Sequence, residues 1–314
     1  MRHLTSIREL TRESAIALLD NAQELAQVGD REVKKLPALR GKTVVNLFFE
    51  NSTRTRISFE IAAKRLSADV INVSAESSSV SKGESLKDTA QTLEALGADA
   101  IVLRHPMSGA PKILAAQGWT KASIVNAGDG SHEHPTQALL DALTLRQVAA
   151  SSTDLAGLRV LIVGDILHSR VARSNILLLN LLGANVEICG PEALVPSGIE
   201  ELGASISHSF DQALERNPDA VMMLRIQKER MDGSYFESPA AYAKDWSLNS
   251  ERLSKLRLNT KILHPGPMNR GLEISAEAAD DSRSLVLRQV ANGVAVKRGS
   301  RSNGRAAQLS KFRG

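Results

Sequence analysis

Two doubly wound α/β domains, each built on a parallel sheet and joined by helices, are what the sequence predicts. Three observations carry that expectation. Short apolar runs alternate with helical patterns along most of the chain, and strand–helix alternation builds parallel sheets. The runs are β-branched and bounded by Gly, Asp or Pro, as strands buried on both faces are. The chain has 314 residues, long for one core and comfortable for two.

The first four strands are expected at residues 44–49 (VVNLFF), 68–73 (ADVINV), 98–105 (ADAIVLRH) and 123–127 (SIVNA). Between them Ile57, Ile61, Ala62 and Leu66 fall at helical spacing, as do Leu86, Ala90, Leu93 and Leu96. A helix over 135–148 leads into a polar, small-residue stretch at 149–157 that suits a domain boundary. Four more strands follow at 159–165, 185–190, 220–226 and 261–267. A last helical pattern from 284 to 295 can return to the first domain. The expected domains are 1–148 and 149–284, with 285–314 packing back on the first.

Composition narrows the function. Aromatic residues are 3% of the chain, too few for stacking platforms that bind single-stranded nucleic acid. The net charge is +4, and Arg54, Arg104, Arg170 and Arg225 sit singly at predicted strand or helix ends. That placement suits a small polyanion rather than a nucleic-acid backbone. The dense basic stretch 297–313 reads as a solvated or frayed terminus. Cys189 is the only cysteine, which leaves no internal disulfide and no thiolate-rich metal site. MRHLTSIREL has no apolar signal region, and the longest apolar stretch, 176–182, is broken by Asn180. A cytoplasmic chain with no membrane partner is expected.

In α/β sheets, ligands sit beyond the carboxyl ends of the strands. After the first strand comes E-N-S-T-R-T-R, followed by a helical pattern. Ser52 suits an N-cap. Ser52, Thr53, Arg54 and Thr55 would then gather N–H groups, hydroxyls and a guanidinium at one helix start, which favours a dianion. A plain capped helix with solvated arginines is the bland alternative, and a lone S-T would not outweigh it. No Walker A loop is present, so a nucleotide triphosphate is not implied.

The segment F-x-E-x-S-T-R-T-R resembles the carbamoyl phosphate signature of the aspartate/ornithine carbamoyltransferase family. The resemblance continues through L-R-H-P (103–106), G-D-G-S-H-E-H-P-T-Q (128–137), G-D-I-L-H-S-R (164–170), L-R-I-Q-K-E-R (224–230) and L-H-P-G-P-M-N-R-G (263–271). It implies that Ser52, Thr53, Arg54 and Thr55 hold the phosphate and its bridging oxygen. It further implies that Arg104, His134 and Gln137 hold carbamoyl phosphate, with Thr55, Arg104 and His134 aimed at the carbonyl oxygen. Attack by an amine puts negative charge on that oxygen, and fixed donors stabilise it. Backbone carbonyls of Gly266 and Pro267 would contact the carbamoyl nitrogen and the attacking amine. Two histidines at 132 and 134 could also be read as metal ligands, but the deaminase pattern needs two further cysteines; no metal and no cofactor are expected.

The loop 77–84 is on composition a polar loop. By resemblance its Ser78 and Lys82 reach the active site of a neighbouring subunit, which implies a homotrimer with shared sites. Arg170, Arg225, Gln227 and Lys82 are implied to hold L-aspartate, and Glu50 and Arg230 to form closed-state salt bridges. Taken alone, each arginine could be an ordinary surface ion pair. Ornithine is the rival acceptor, but relatives that use it carry H-C-L-P where this chain has H-P-G-P. Some family members join regulatory chains or dihydroorotase in larger assemblies, and H-P-G-P-M-N-R-G resembles the dihydroorotase-associated group.

Overall fold

The computed structural model describes residues 2–29, 31–74, 83–149, 153–227 and 235–309, with 301–309 as helix backbone. Ser78, Lys82 and Arg230 lie outside the described residues. Two compact units emerge, Met1–Leu140 with Ala291–Gly314, and Asp141–Val290.

The first unit runs α1 (Arg12–Val28), β1 (Thr43–Phe48), α2 (Thr53–Arg65), β2 (Asp69–Ser74), α3 (Leu86–Ala95), β3 (Ala100–His105), α4 (Ala110–Ala116), β4 (Ser123–Asp129) and the start of α5 (Pro135–Arg146). Its sheet is parallel, in the order β2-β1-β3-β4. Successive side chains point to opposite faces. Val45, Leu47, Ile101, Leu103 and Ile124 therefore join Ala90 and Leu114 in one core, while Val44, Phe48, Val102 and Val125 join Phe59 and Ala63 of α2 in the other. Phe59 is fully buried; truncating it to alanine would cost about 3–5 kcal/mol.

The second unit continues with β5 (Arg159–Val163), α6 (Arg170–Leu181), β6 (Asn185–Cys189), β7 (Ser205–Ser207), α7 (Phe210–Glu215), β8 (Ala220–Met223), α8 (Pro239–Trp246), α9 (Ser250–Lys255), β9 (Lys261–Leu263), α10 (Ala276–Asp280) and the start of α11 (Val286–Leu309). Its parallel sheet has the order β7-β6-β5-β8-β9. Leu161, Val163, Val221, Met223 and Ile262 bury one face against Phe210, Leu214 and Ile274.

The fold class is the one the sequence predicts, with three differences of detail. β7 is an extra strand of three residues whose single apolar side chain, Ile206, gives no run to read. The predicted strands of this unit end early, because Gly164, Leu224 and His264 already lie in the turns beyond the ladder. The stretch beginning at Lys297 is not a solvated tail at its start, since Lys297 and Arg298 are buried. Arg298 donates to the carbonyl of Leu25 at 2.9 Å, one of the last α1 carbonyls that no helical N–H reaches. Lys297 bonds the Ser58 hydroxyl and lies 4.8 Å over the Phe59 ring.

Candidate active site

The order of the first sheet reverses between β1 and β3, and sheets of this kind take ligands beyond the strand ends at such a switch point. Ser52 stands at the N-cap of α2, but its hydroxyl makes no capping hydrogen bond. Thr11, Ser85 and Ser169 do cap their helices. The Ser52 hydroxyl therefore does not take up the first N–H groups of α2, the place where a helix start meets an anion. The first turn carries no acid, Thr53 and Arg54 are exposed, and Thr55 is half-buried. Phe48, Glu50, Asn51, Ser52, Thr53, Arg56 and Ser74 of β2 line a depression there.

Arg104 ends β3, paired in register with Phe48 of β1. The Phe49 N–H donates to its carbonyl at 2.8 Å. Its guanidinium spans both neighbours, making an ion pair with Glu50 at 3.1 Å and donating to the Ala127 carbonyl of β4 at 3.3 Å. Glu50, expected in a closed-state bridge, is thus partnered with Arg104.

The turn after β4 is built around Asp129. Its buried carboxylate accepts from Gly109 N–H at 2.6 Å, Asn126 Nδ2 at 2.8 Å and Glu133 N–H at 3.1 Å, and contacts His132 Nδ1 at 3.0 Å. That last bond raises the His132 pKa against the effect of burial. Gly130 has φ +46°, and a Cβ there would sit 2.3 Å from Ser108 Oγ and 2.9 Å from the Pro106 carbonyl oxygen. Glu133 is buried and bonds the Ser6 hydroxyl and the Ile7 N–H. Burial pushes its carboxyl pKa up, opposed by those two donors. His134 follows, buried, with Nδ1 3.4 Å from Thr136 Oγ1. Gln137 lies in the first turn of α5. Ser52–Thr55, Arg104 and His134–Gln137 thus stand at the carboxyl side of adjacent parallel strands of one unit.

The second sheet reverses between β5 and β8. Asp165, fully buried, accepts from His168 N–H at 3.1 Å and Gln227 N–H at 3.3 Å, and meets His168 Nδ1 at 2.9 Å. One carboxylate thereby ties the β5 turn to the β8 turn. Arg170 opens α6 and is buried, with Ser169 as cap. Arg225 and Gln227 are half-buried just past β8. Beyond β9, Gly266 has φ +66° and a cis peptide to Pro267.

Several supporting residues escaped the sequence reading. Ser6 and Ile7 act on a residue more than a hundred positions away, which no local pattern reveals. Asp129, Glu133, Asp165 and Glu273 stood inside or beside the quoted motifs, and their signal was an acid in or beside a strand-end turn. Cys189 is buried in the second sheet, its thiol pushed up to about 12 chiefly by burial, so it offers no thiolate nucleophile. Among the described residues no helix is long and apolar enough to cross a membrane.

Comparisons with known proteins cover both units. Residues 2–147 match the domain described as aspartate/ornithine carbamoyltransferase, carbamoyl-P binding domain, and residues 156–299 match the Asp/Orn binding domain. The chain is 63% identical over 302 residues to a protein of Clavibacter michiganensis named aspartate carbamoyltransferase catalytic subunit, covering 95% of each chain. A Micrococcus luteus protein of the same name is 60% identical over 311 residues, again covering 95% of each. Among solved structures, aspartate transcarbamoylase from Trypanosoma cruzi in complex with carbamoyl phosphate and aspartate is similar at TM-score 0.85 and 30% identity, covering 96% of this chain and 94% of that one. The catalytic subunit from M. jannaschii is similar at TM-score 0.83 and 33% identity, covering 98% and 99%.

Proposed function

The chain belongs to the aspartate/ornithine carbamoyltransferase family, and from that membership we propose that it moves the carbamoyl group of carbamoyl phosphate to the amine of L-aspartate. The products are N-carbamoyl-L-aspartate and phosphate, an early step of de novo pyrimidine synthesis. The observation that carries the reading is the uncapped start of α2, with Arg54, set beside Arg104 and His134 at neighbouring strand ends.

The donor dianion is held by the first α2 N–H groups with Ser52, Thr53, Arg54 and Thr55. Thr55, Arg104 and His134 donate to the carbonyl oxygen as it becomes a tetrahedral oxyanion. The amine attacks the carbonyl carbon and gives up a proton to the departing phosphate. The carbon–oxygen bond to phosphate breaks, and phosphate leaves with the electron pair. Gln137 and the backbone carbonyls of Gly266 and Pro267 take the N–H groups of carbamoyl and amine. Arg170, Arg225 and Gln227 hold the aspartate carboxylates. The leaving group is already activated, so the chemistry calls for no cofactor.

The test is to supply the purified chain with carbamoyl phosphate and either L-aspartate or L-ornithine. Phosphate and carbamoyl aspartate should form with aspartate alone. Turnover of ornithine without aspartate would overturn the proposal.

The active form is proposed to be a homotrimer in which Ser78 and Lys82 serve the neighbouring site. In support, β2 is an edge strand leading into that loop and leaves Ile71 exposed. Arg54→Ala and Lys82→Ala chains, each inactive, should regain activity when refolded together. Mixed trimers without recovery would count against sharing.

A further inference from the structure

We infer that His264 is a positioning residue, its neutral ring protonated on Nε2 serving as the template on which the Gly266–Pro267 turn is folded, with Glu273 fixing that tautomer. The functional weight of the turn rests on the proposed reaction. The template itself rests on geometry.

His264 and Glu273 side chains are both fully buried. The Gly266 N–H lies 2.8 Å from His264 Nδ1. An N–H can only donate, so Nδ1 must present its lone pair. The ring proton then sits on Nε2, which faces Glu273 Oε1 at 3.1 Å. The same carboxylate oxygen accepts the Asn269 N–H at 2.6 Å. A single imidazole–carboxylate pair therefore holds the turn at two places. Glu273 Oε2 has no hydrogen-bond partner among the described residues, so this carboxylate acts on the turn through Oε1.

The base of the template is braced within the same unit. His264 N–H donates to Gln289 Oε1 at 3.0 Å, Gln289 Nε2 donates to Asp141 Oδ1 at 2.7 Å, and Asn175 Nδ2 donates to Asp141 Oδ2 at 2.9 Å. Side chains from α5, α6 and α11 thus fix the strand end from which the turn departs. A core histidine that merely fills space has no reason to give each ring nitrogen a partner on its own turn. A proton on Nδ1 would set donor against donor at Gly266, so the turn tolerates only this tautomer. Shifting the carbonyls at 266 and 267 by even 1 Å would cost turnover on the order of 100-fold.

Three variants of the full chain test the claim, with kcat and both KM values as the readout. His264→Ala should lose kcat on the order of 100-fold, with a much smaller change in KM for carbamoyl phosphate, whose phosphate is held at α2. His264→Asn should recover most of that loss, because an Asn oxygen reaches the N–H two residues on, as in an Asx turn. His264→Gln, whose amide falls nearer the Nε2 position, should recover less. Three variants equal to wild type, or three equally damaged as loss of packing would make them, would overturn the inference. Should the variants not fold, imidazole 15N NMR of the wild type decides: a proton on Nε2 supports the template, and one on Nδ1 sinks it. A wild type that transfers nothing to aspartate would refute the functional reading alone, leaving the tautomer to judge the template.

Discussion

At the end of β1 the chain enters α2 through an uncapped first turn with exposed Thr53 and Arg54. At the end of β5 it enters α6 with Ser169 closing the cap and Arg170 buried. Both helices lack an acid in the first turn and carry arginines there, against the helix dipole. The starts of α1, α3, α7, α9 and α10 each hold an acid, whereas α4, α5, α8 and α11 resemble these two in having none. In the proposed reading both are anion-binding starts, and the difference in capping and burial separates their ligands. A phosphate can be met by exposed dipoles and cations, which need no support while empty. A buried guanidinium costs desolvation energy, so the second unit surrounds Arg170 with a braced turn and a capped helix.

The sharpest way to break this contrast is Arg104→Ala. It removes the proposed oxyanion donor and its ion pair with Glu50, so kcat should fall by about 10²–10³. A change confined to the KM of carbamoyl phosphate would instead make Arg104 a ground-state binder. Next in size is Thr53→Asp. An acid at the start of α2 should raise thermal stability slightly, by about 0.3–1 kcal/mol, yet repel the donor phosphate. KM for carbamoyl phosphate should rise about tenfold, a loss of roughly 1.4 kcal/mol. If stability and affinity rise together, the uncapped helix start is not the phosphate site. Arg225→Lys probes the other side. Losing the planar fork at a carboxylate should raise KM for aspartate by about tenfold and leave the donor KM unchanged. Equal effects on both substrates would dissolve the assignment of one ligand to each unit.

Much of this was legible because it is local. Val44–Phe48 and Arg159–Val163 read as buried strands since their neighbours in the sheet cover both faces, and the residue types of S-T-R-T-R declare anion chemistry by themselves. What the sequence hid is how the groups are held. Ser52 has the chemistry of a cap and does not act as one. Glu133 lies between two histidines and nothing local marks its role, because its partner Ser6 comes from more than a hundred positions away in the chain. His264 was visible in H-P-G-P, but its acceptor role depends on a backbone N–H that only the folded turn presents. Lys297 and Arg298 read as tail charges because burial of a cation depends on what packs over it.

The smallest effect concerns one buried charge of the first unit, the Glu133 carboxylate next to His134 in the chain. Burial raises the Glu133 pKa, and the Ile7 N–H and Ser6 hydroxyl only partly oppose it. The folded chain therefore binds more protons than the unfolded one between the ordinary carboxylate pKa and the raised value. Stability contributed by Glu133 is full below the ordinary value and is lost as pH rises through the raised one. Glu133→Gln has no proton to lose, and its amide oxygen can still accept the Ile7 N–H. Melting temperatures of the two proteins should converge or favour wild type in acid, and shift towards the glutamine variant as pH climbs past the carboxylate range. His132, also raised, is present in both chains, so its titration largely cancels in the difference. A difference that stays flat with pH would mean that Ser6 and Ile7 fully compensate the burial. Glu133 would then carry no cost of buried charge, and the contrast with the braced Arg170 would be wider than drawn.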